Sequence, residues 1–322
     1  MEAVFGKIAE ETSTFNLGDE DKWRTLYEPL YPPPPASITV HRNERYGPHV
    51  RNLLDVFIPA SNDTDKNRPV LIYIHGGGFF SGDKQWSEKV YSNIGYFFAQ
   101  HNIVTVVVNH RLVPDVVYPG GAEDMQRARE WVYRNIGKER FGYGAREKVV
   151  LFGHSSGGAH VAMNLYAGGA EGEKSSPLFP PVAGVIYLSV PFWYDRTKPV
   201  RQRTIRSYYG SDAEDVWGPK SGLGLFQALP DDSPLLDSQK IPVYLGSVEW
   251  EVPETATAMV RFFEAYRARS KPAGTLPLFH VLKRHNHLSN VLSIGTEDTA
   301  QGQYLVDFVA SCVGGRSRKG RL

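Results

Sequence analysis

Short apolar runs and amphipathic stretches alternate along most of the chain. Leu53–Ile58 reads as a strand that Pro59 stops. Val70–Ile74, Ile103–Val108 and Val149–Phe152 are apolar runs of the kind found in strands buried on both faces. Val182–Leu188, Val243–Leu245 and Phe279–Leu282 continue the series. Between them the spacing turns helical, over about 88–100, 122–134, 257–269 and 304–313, and in a stretch that follows Val149–Phe152 and runs to about Tyr166. In the second of these, Met125, Ala128, Trp131 and Val132 recur at three- and four-residue intervals and mark one buried face. Strands that alternate with helices of this length pair in parallel through crossover helices. The predicted class is therefore α/β, with a mostly parallel sheet covered on both sides.

Two segments break the rhythm. Residues 1–36 are mixed and end in Tyr31 followed by four prolines, which favour stiff, extended chain. They predict an N-terminal arm laid over a domain of residues 37–313. Residues 191–233 hold Pro191, Pro199, Pro219 and Pro230, several glycines and many aromatics without a clean period, and are too long for a plain connector. They predict a small cap insertion over the carboxyl edge of the sheet. Residues 314–322 form a basic tail.

Charge and cysteine content narrow the function classes. Lys and Arg number 36 against 35 Asp and Glu, so there is no basic field and no nucleic-acid partner is expected. The single cysteine, Cys312, leaves no intrachain disulfide and no cysteine-based metal cluster, which fits a reducing compartment. The first residues lack a basic start followed by an apolar run, and Ile103–Val108 is far too short to cross a bilayer. A cytoplasmic protein without a membrane partner is the expectation, with a homodimer left open.

The strongest chemical signal is Gly153-His-Ser-Ser-Gly157, directly between a predicted strand and a predicted helix. A nucleophile in such a turn stands at the tip of strained backbone, and small residues two places before and after let strand and helix approach. Ser155 is the candidate nucleophile. His75-Gly-Gly-Gly78 follows the strand Val70–Ile74. Glycines there let backbone N–H groups turn toward the negative charge that develops on a carbonyl oxygen in acyl transfer. The N–H groups of Gly77, Gly78 and Ser156 are the candidate oxyanion hole, Gly76 is a substitute, and His75 is expected to fix the loop. A phosphate loop is excluded, because Asp83 stands where the spacing from Gly77 and Gly82 requires Lys.

A serine nucleophile needs a base, usually His held by a carboxylate, and in this strand–turn–helix setting both follow the serine in the order acid, then His. After Val243–Leu245 come Glu249 and Glu251, with Glu249 favoured as the acid and Glu251 the alternative. After Phe279–Leu282 come His285 and His287, with His287 favoured as the base. The other histidines show no metal-ligand spacing. Phe79, Phe80, Trp86, Phe192 and Trp193 lie near the proposed mouth and are candidates to line a pocket for a small apolar or aromatic group.

Together these blocks resemble the α/β-hydrolases of the esterase/lipase branch related to hormone-sensitive lipase, and are similar to kynurenine formamidases. The resemblance rests on His75-Gly-Gly-Gly-Phe79, Val108-Asn-His-Arg-Leu112 and Tyr118-Pro-Gly-Gly-Ala-Glu-Asp124, and on the block Gly153–His160, Glu249 and Asn286-His287. It covers roughly residues 45–312. It implies about eight mostly parallel strands flanked by helices, a Ser–acid–His triad and no cofactor or metal. Glu stands where many relatives have Asp, His110 replaces a common Tyr, and Ser156 replaces a frequent Ala. The expected activity is hydrolysis of a small carboxylic ester through an acyl-enzyme on Ser155. The alternatives are an arylformamidase-like amide hydrolase, an acyl-transfer or cyclisation enzyme using the same triad, and a ligand-binding protein without catalysis.

Overall fold

The computed structural model describes residues 1–11, 19–60, 66–167 and 178–314. Eight strands form one sheet in the order β1-β2-β4-β3-β5-β6-β7-β8. They are β1 (Thr39–Arg45), β2 (Leu53–Ile58), β3 (Arg68–Ile74), β4 (Val104–Val108), β5 (Gly144–His154), β6 (Gly184–Leu188), β7 (Val243–Trp250) and β8 (Leu278–Asn286). β2 pairs antiparallel with both its neighbours, β1 and β4, while β4, β3, β5, β6, β7 and β8 run parallel to one another. The mostly parallel sheet expected from the alternating pattern is present.

Residues of period two divide the core between the two faces. Val70, Ile72 and Ile74 of β3 join one apolar cluster, and Leu71 and Tyr73 join the other. The same split sends Val149 and Leu151 of β5 to one side, Val150 and Phe152 to the other. That is why these strands read as unbroken apolar runs. The first face is covered by α4 (Gly120–Asn135), α5 (Ser156–Tyr166) and α9 (Pro253–Arg269) through residues such as Met125, Met163 and Phe262. The second is covered by α3 (Ser92–Gln100) and α11 (Ala300–Val313) through Ile94, Phe98, Leu305 and Val309.

The N-terminal residues contribute to that second layer. Helices α1 (Glu2–Glu10) and α2 (Glu20–Tyr27) bury Val4, Ile8, Trp23 and Tyr27 in the same cluster. The four prolines after Tyr31 stay outside helix and strand, as their ring geometry requires. Within residues 191–233 the chain forms α6 (Pro199–Tyr209), α7 (Glu214–Trp217) and α8 (Gly222–Gln227). Their aromatics Tyr208, Tyr209, Trp217 and Phe226 are buried against the first face. A short α10 (Ser289–Leu292) follows β8. The basic tail lies outside the described residues apart from Gly314. Among the described residues, no helix is long and apolar enough to cross a membrane.

Candidate active site

Strand β5 ends at His154 and α5 begins at Ser156, so Ser155 alone makes the turn. Its φ of 52° and ψ of −129° lie in a region that side-chain-bearing residues rarely occupy. The turn closes because its neighbours lack side chains. A Cβ on Gly157 would sit 2.4 Å from the carbonyl oxygens of Ile74 and His75, and one on Gly153 would sit 2.3 Å from Gly158 Cα. The Ser155 N–H donates to Leu188 O of β6 at 2.9 Å, which pins the strained residue to the sheet.

Ser155 Oγ lies 2.9 Å from His287 Nε2, across 132 residues of chain. On the other side of the ring, His287 Nδ1 lies 2.7 Å from Glu251 Oε1. A carboxylate can only accept, so Nδ1–H donates to Glu251 and Nε2 is left as the acceptor for the serine hydroxyl. The side chains of His287 and Glu251 are 10% and 3% exposed, which shields both contacts from water.

The carboxylate on His287 is thus Glu251 and not Glu249. Strand β7 continues to Trp250, five residues past Leu245, so Glu249 still belongs to the strand and the turn comes later. Glu249 sits where the β7–β8 register shifts, accepts the Arg284 N–H at 2.8 Å and pairs with Lys283 at 3.5 Å. The hydrogen bond from Arg284 holds its pKa below the ordinary carboxylate value. His285, the other candidate base, points away and contacts Asp298 at 2.8 Å.

The glycine loop after β3 reaches the same place. A Cβ on Gly76 would meet Ser155 Cβ at 2.8 Å, so loop and nucleophile are in contact. Gly77 has φ 131° and Gly78 φ 61°, conformations that free their N–H groups from strand pairing. The Ser156 N–H is the first of α5, one of those a helix start leaves without an intrahelical acceptor. Buried polar side chains hold the loop from behind. His75 Nε2 lies 3.1 Å from Asn109 Oδ1, the same oxygen accepts the Lys84 N–H at 2.5 Å, and Asn109 Nδ2 donates to Asp83 at 3.0 Å. Arg51 donates to Gly82 O at 2.8 Å. Asn109 lies in the Val108–Leu112 block, but its role in holding the loop and that of Asp83 were not legible from spacing.

Three more imidazoles pack around this loop. His75 stacks on His110 with centroids 4.5 Å apart, and His110 meets His160 edge-on at 4.7 Å. Burial first, then the neighbouring His110, hold His75 well below the ordinary imidazole value; burial with the same neighbours does so for His160. Among the described residues, no group of three or more His, Cys, Asp or Glu side chains could hold a metal ion.

The aromatics expected to line a pocket divide. Phe79 and Phe192 are core residues, stacked on Tyr208 at 4.4 Å and on Phe262 at 3.9 Å. Phe80 and Trp86 stand partly exposed, with Trp86 Nε1 donating to Asp21 at 3.1 Å. Trp193 borders a cavity of about 780 Å³ between the segment after β6 and helix α9, with Tyr194, Lys198, Gln202, Glu254 and Arg261 also on its wall. The triad does not line this cavity. The Arg261 guanidinium lies over the Trp193 ring at 4.5 Å.

Comparison with known proteins points the same way. The BD-FAE family model matches residues 54–175, which span β2 to α5 and include both the glycine loop and the nucleophile turn. Over 135 residues the chain is 34% identical to venom carboxylesterase-6 of Apis mellifera, covering 39% of this chain and 22% of that one. Over 126 residues it is 32% identical to the isoprenylcysteine alpha-carbonyl methylesterase of Arabidopsis thaliana, covering 39% and 27%. The chain thus spans about a quarter of the length of these curated relatives. Among solved structures, esterase B from Lactobacillus rhamnosis matches with a TM-score of 0.68 and 16% identity, over 96% of this chain and 95% of that one. By its sheet order and these structural matches the chain has the α/β-hydrolase fold, and the part that carries the glycine loop and the nucleophile turn is similar to the BD-FAE family and to carboxylesterases.

Proposed function

We propose that the chain is a serine hydrolase that cleaves a carboxylic ester of a small molecule through an acyl-enzyme on Ser155. The reading rests on one observation above all: Ser155 Oγ, the His287 ring and Glu251 stand in line at 2.9 and 2.7 Å, with the serine held at φ 52°. In the first step His287 Nε2 takes the hydroxyl proton as Ser155 Oγ attacks the substrate carbonyl carbon. Glu251 keeps the proton on Nδ1 and stabilises the imidazolium as it forms. The N–H groups of Gly77, Gly78 and Ser156 receive the oxyanion, each such donor contributing roughly 10²–10³ in rate. His287 then protonates the departing alcohol. Water, deprotonated by the same ring, attacks the acyl-enzyme and releases the acid.

The deciding experiment is Ser155→Ala assayed on a short-chain aryl ester, with circular dichroism to confirm the fold and a fluorophosphonate label to report the serine. Turnover and labelling should vanish together; turnover near that of the unmodified protein overturns the assignment.

A further inference from the structure

The base of the proposed triad is carried in an awkward place. His287 follows β8, an edge strand with no outer strand beside it among the described residues, and much of its length is exposed. A catalytic side chain must be held within about 0.5 Å of its productive position, so something other than sheet pairing has to fix this turn.

We propose that His285, Asp298 and Ser289 form a buried brace that positions the turn carrying His287. The inference rests on the serine-hydrolase reading for its catalytic consequence, and on geometry alone for the brace. His285 Nε2 lies 2.8 Å from Asp298 Oδ2, and its Nδ1 lies 2.9 Å from Ser289 Oγ. That hydroxyl also accepts the Asn286 N–H at 2.8 Å, while Asn286 Oδ1 accepts the N–H groups of Leu288 and Ser289 at 3.1 and 2.9 Å. Every residue from 285 to 289 except His287 therefore has a side chain or amide tied into one knot, with His287 standing at its top. The His285 and Asp298 side chains are 2% and 12% exposed.

The proton placement is set by Asp298. Its burial opposes ionisation, but His285 and, more distantly, Arg284 outweigh this and hold its pKa below the ordinary carboxylate value. The carboxylate accepts from Nε2–H, which orients the ring and turns Nδ1 toward Ser289. Helix α1 closes the arrangement from outside. Phe5 meets the His285 ring edge-on at 5.4 Å, and Glu2 holds Arg284 through two bonds of 3.1 and 2.7 Å. A buried hydrogen bond to a carboxylate adds little net stability, yet it is directional, and direction is what a turn bearing a base requires. The brace thus acts through His287, and its members are positioning residues.

The test uses the full chain with Asp298→Asn and His285→Phe; the second keeps the packing on Phe5 while removing both hydrogen bonds. Three quantities are read: kcat and KM on a short-chain aryl ester, the melting temperature, and the low-field proton resonance of the His287–Glu251 hydrogen bond, assigned by its loss in His287→Gln. The brace predicts that kcat falls about tenfold to a hundredfold with KM little changed. It also predicts that the resonance broadens or shifts even where the melting temperature holds. A lower melting temperature with unchanged kcat and resonance would reduce the pair to a structural one and overturn the proposal. Should Ser155→Ala retain turnover, the hydrolase reading fails separately, and the resonance in the two brace variants still decides whether the turn is held as described. Should His285→Phe not fold, Asp298→Asn decides alone.

Discussion

His154 Nε2 donates to the backbone carbonyl of His287 at 2.8 Å, so the residue before the proposed nucleophile holds the residue proposed as its base. The ring is buried, and burial first, then the nearby His287, push its pKa down to about 3. It is neutral at working pH and has one N–H to give, and it spends that proton on His287. Replacing it with Phe keeps the ring volume and removes the donor. The buried carbonyl of His287 then loses this donor, which costs about 1–3 kcal/mol. His154→Phe is expected to melt lower by that amount in a denaturant titration and to lose kcat more than KM. A variant with full stability and full kcat would show that the contact carries no weight.

The two glutamates at the end of β7, Glu249 within the strand and Glu251 just past it, make opposite predictions. Glu251 fixes the tautomer of His287 and faces the charge that forms there. Glu251→Gln keeps the shape but presents an amide that can donate where the ring must donate, so kcat is expected to drop by about 10³–10⁴. Glu249→Gln still offers an oxygen to the Arg284 N–H and is expected to cost far less. Steady-state kinetics on the two variants decides between them, and equal losses would mean that Glu251 does not act on His287 in solution.

How far the residues alone reach is visible at these same positions. Ser155 and the glycine loop were legible because tight turns leave a mark in residue size: a Cβ at Gly153 or Gly157 collides with backbone, so the pattern has little freedom. His287 was legible through its place after the last strand. Glu251 was displaced by Glu249 because the end of β7 had to be guessed from apolar character, and Gly246-Ser-Val-Glu-Trp250 continues a strand through residues that do not look like one. Strand β1 was missed for the same reason: Thr39-Val-His-Arg-Asn-Glu-Arg45 pairs through its backbone at a sheet edge with one aliphatic residue. The aromatics near the mouth were overread, since Phe79 and Phe192 are consumed by stacking within the core. The His285–Asp298 contact joins residues 13 apart with no spacing rule behind it.

Acid sensitivity follows from the buried imidazoles. His75, His110, His154 and His160 all have pKa values below 6.5, in each case because burial disfavours the charged ring. In the unfolded chain they return to the ordinary value, so unfolding takes up protons as pH falls below about 6.5, for His154 down to about 3. Their contribution to stability is fully present above about pH 6.5 and is lost as pH falls through that window. Urea midpoints measured from pH 7 down to about 4.5 should decline steeply, and His160→Phe should flatten the decline. A midpoint that does not change with acidification would mean that these rings are not neutral and enclosed in the folded protein.

The glycine loop allows the oxyanion assignment to be tested one donor at a time. Gly77 holds φ 131°, which only glycine adopts readily, and a Cβ there would fall 2.0 Å from Ser81 O, a backbone atom that cannot step aside without moving the loop. Gly77→Ala should therefore displace the 77–81 turn while its anchors, His75 on Asn109 and Arg51 on Gly82 O, keep the flanks in place. The expected result is a kcat reduced by roughly 10²–10³, the loss typical of one missing oxyanion donor, with slower fluorophosphonate labelling of Ser155. The circular dichroism spectrum should be close to that of the unmodified protein, because the displaced turn lies outside helix and strand. Labelling and turnover at the original rates would remove Gly77 from the hole and leave the oxyanion to Gly78 and Ser156 alone.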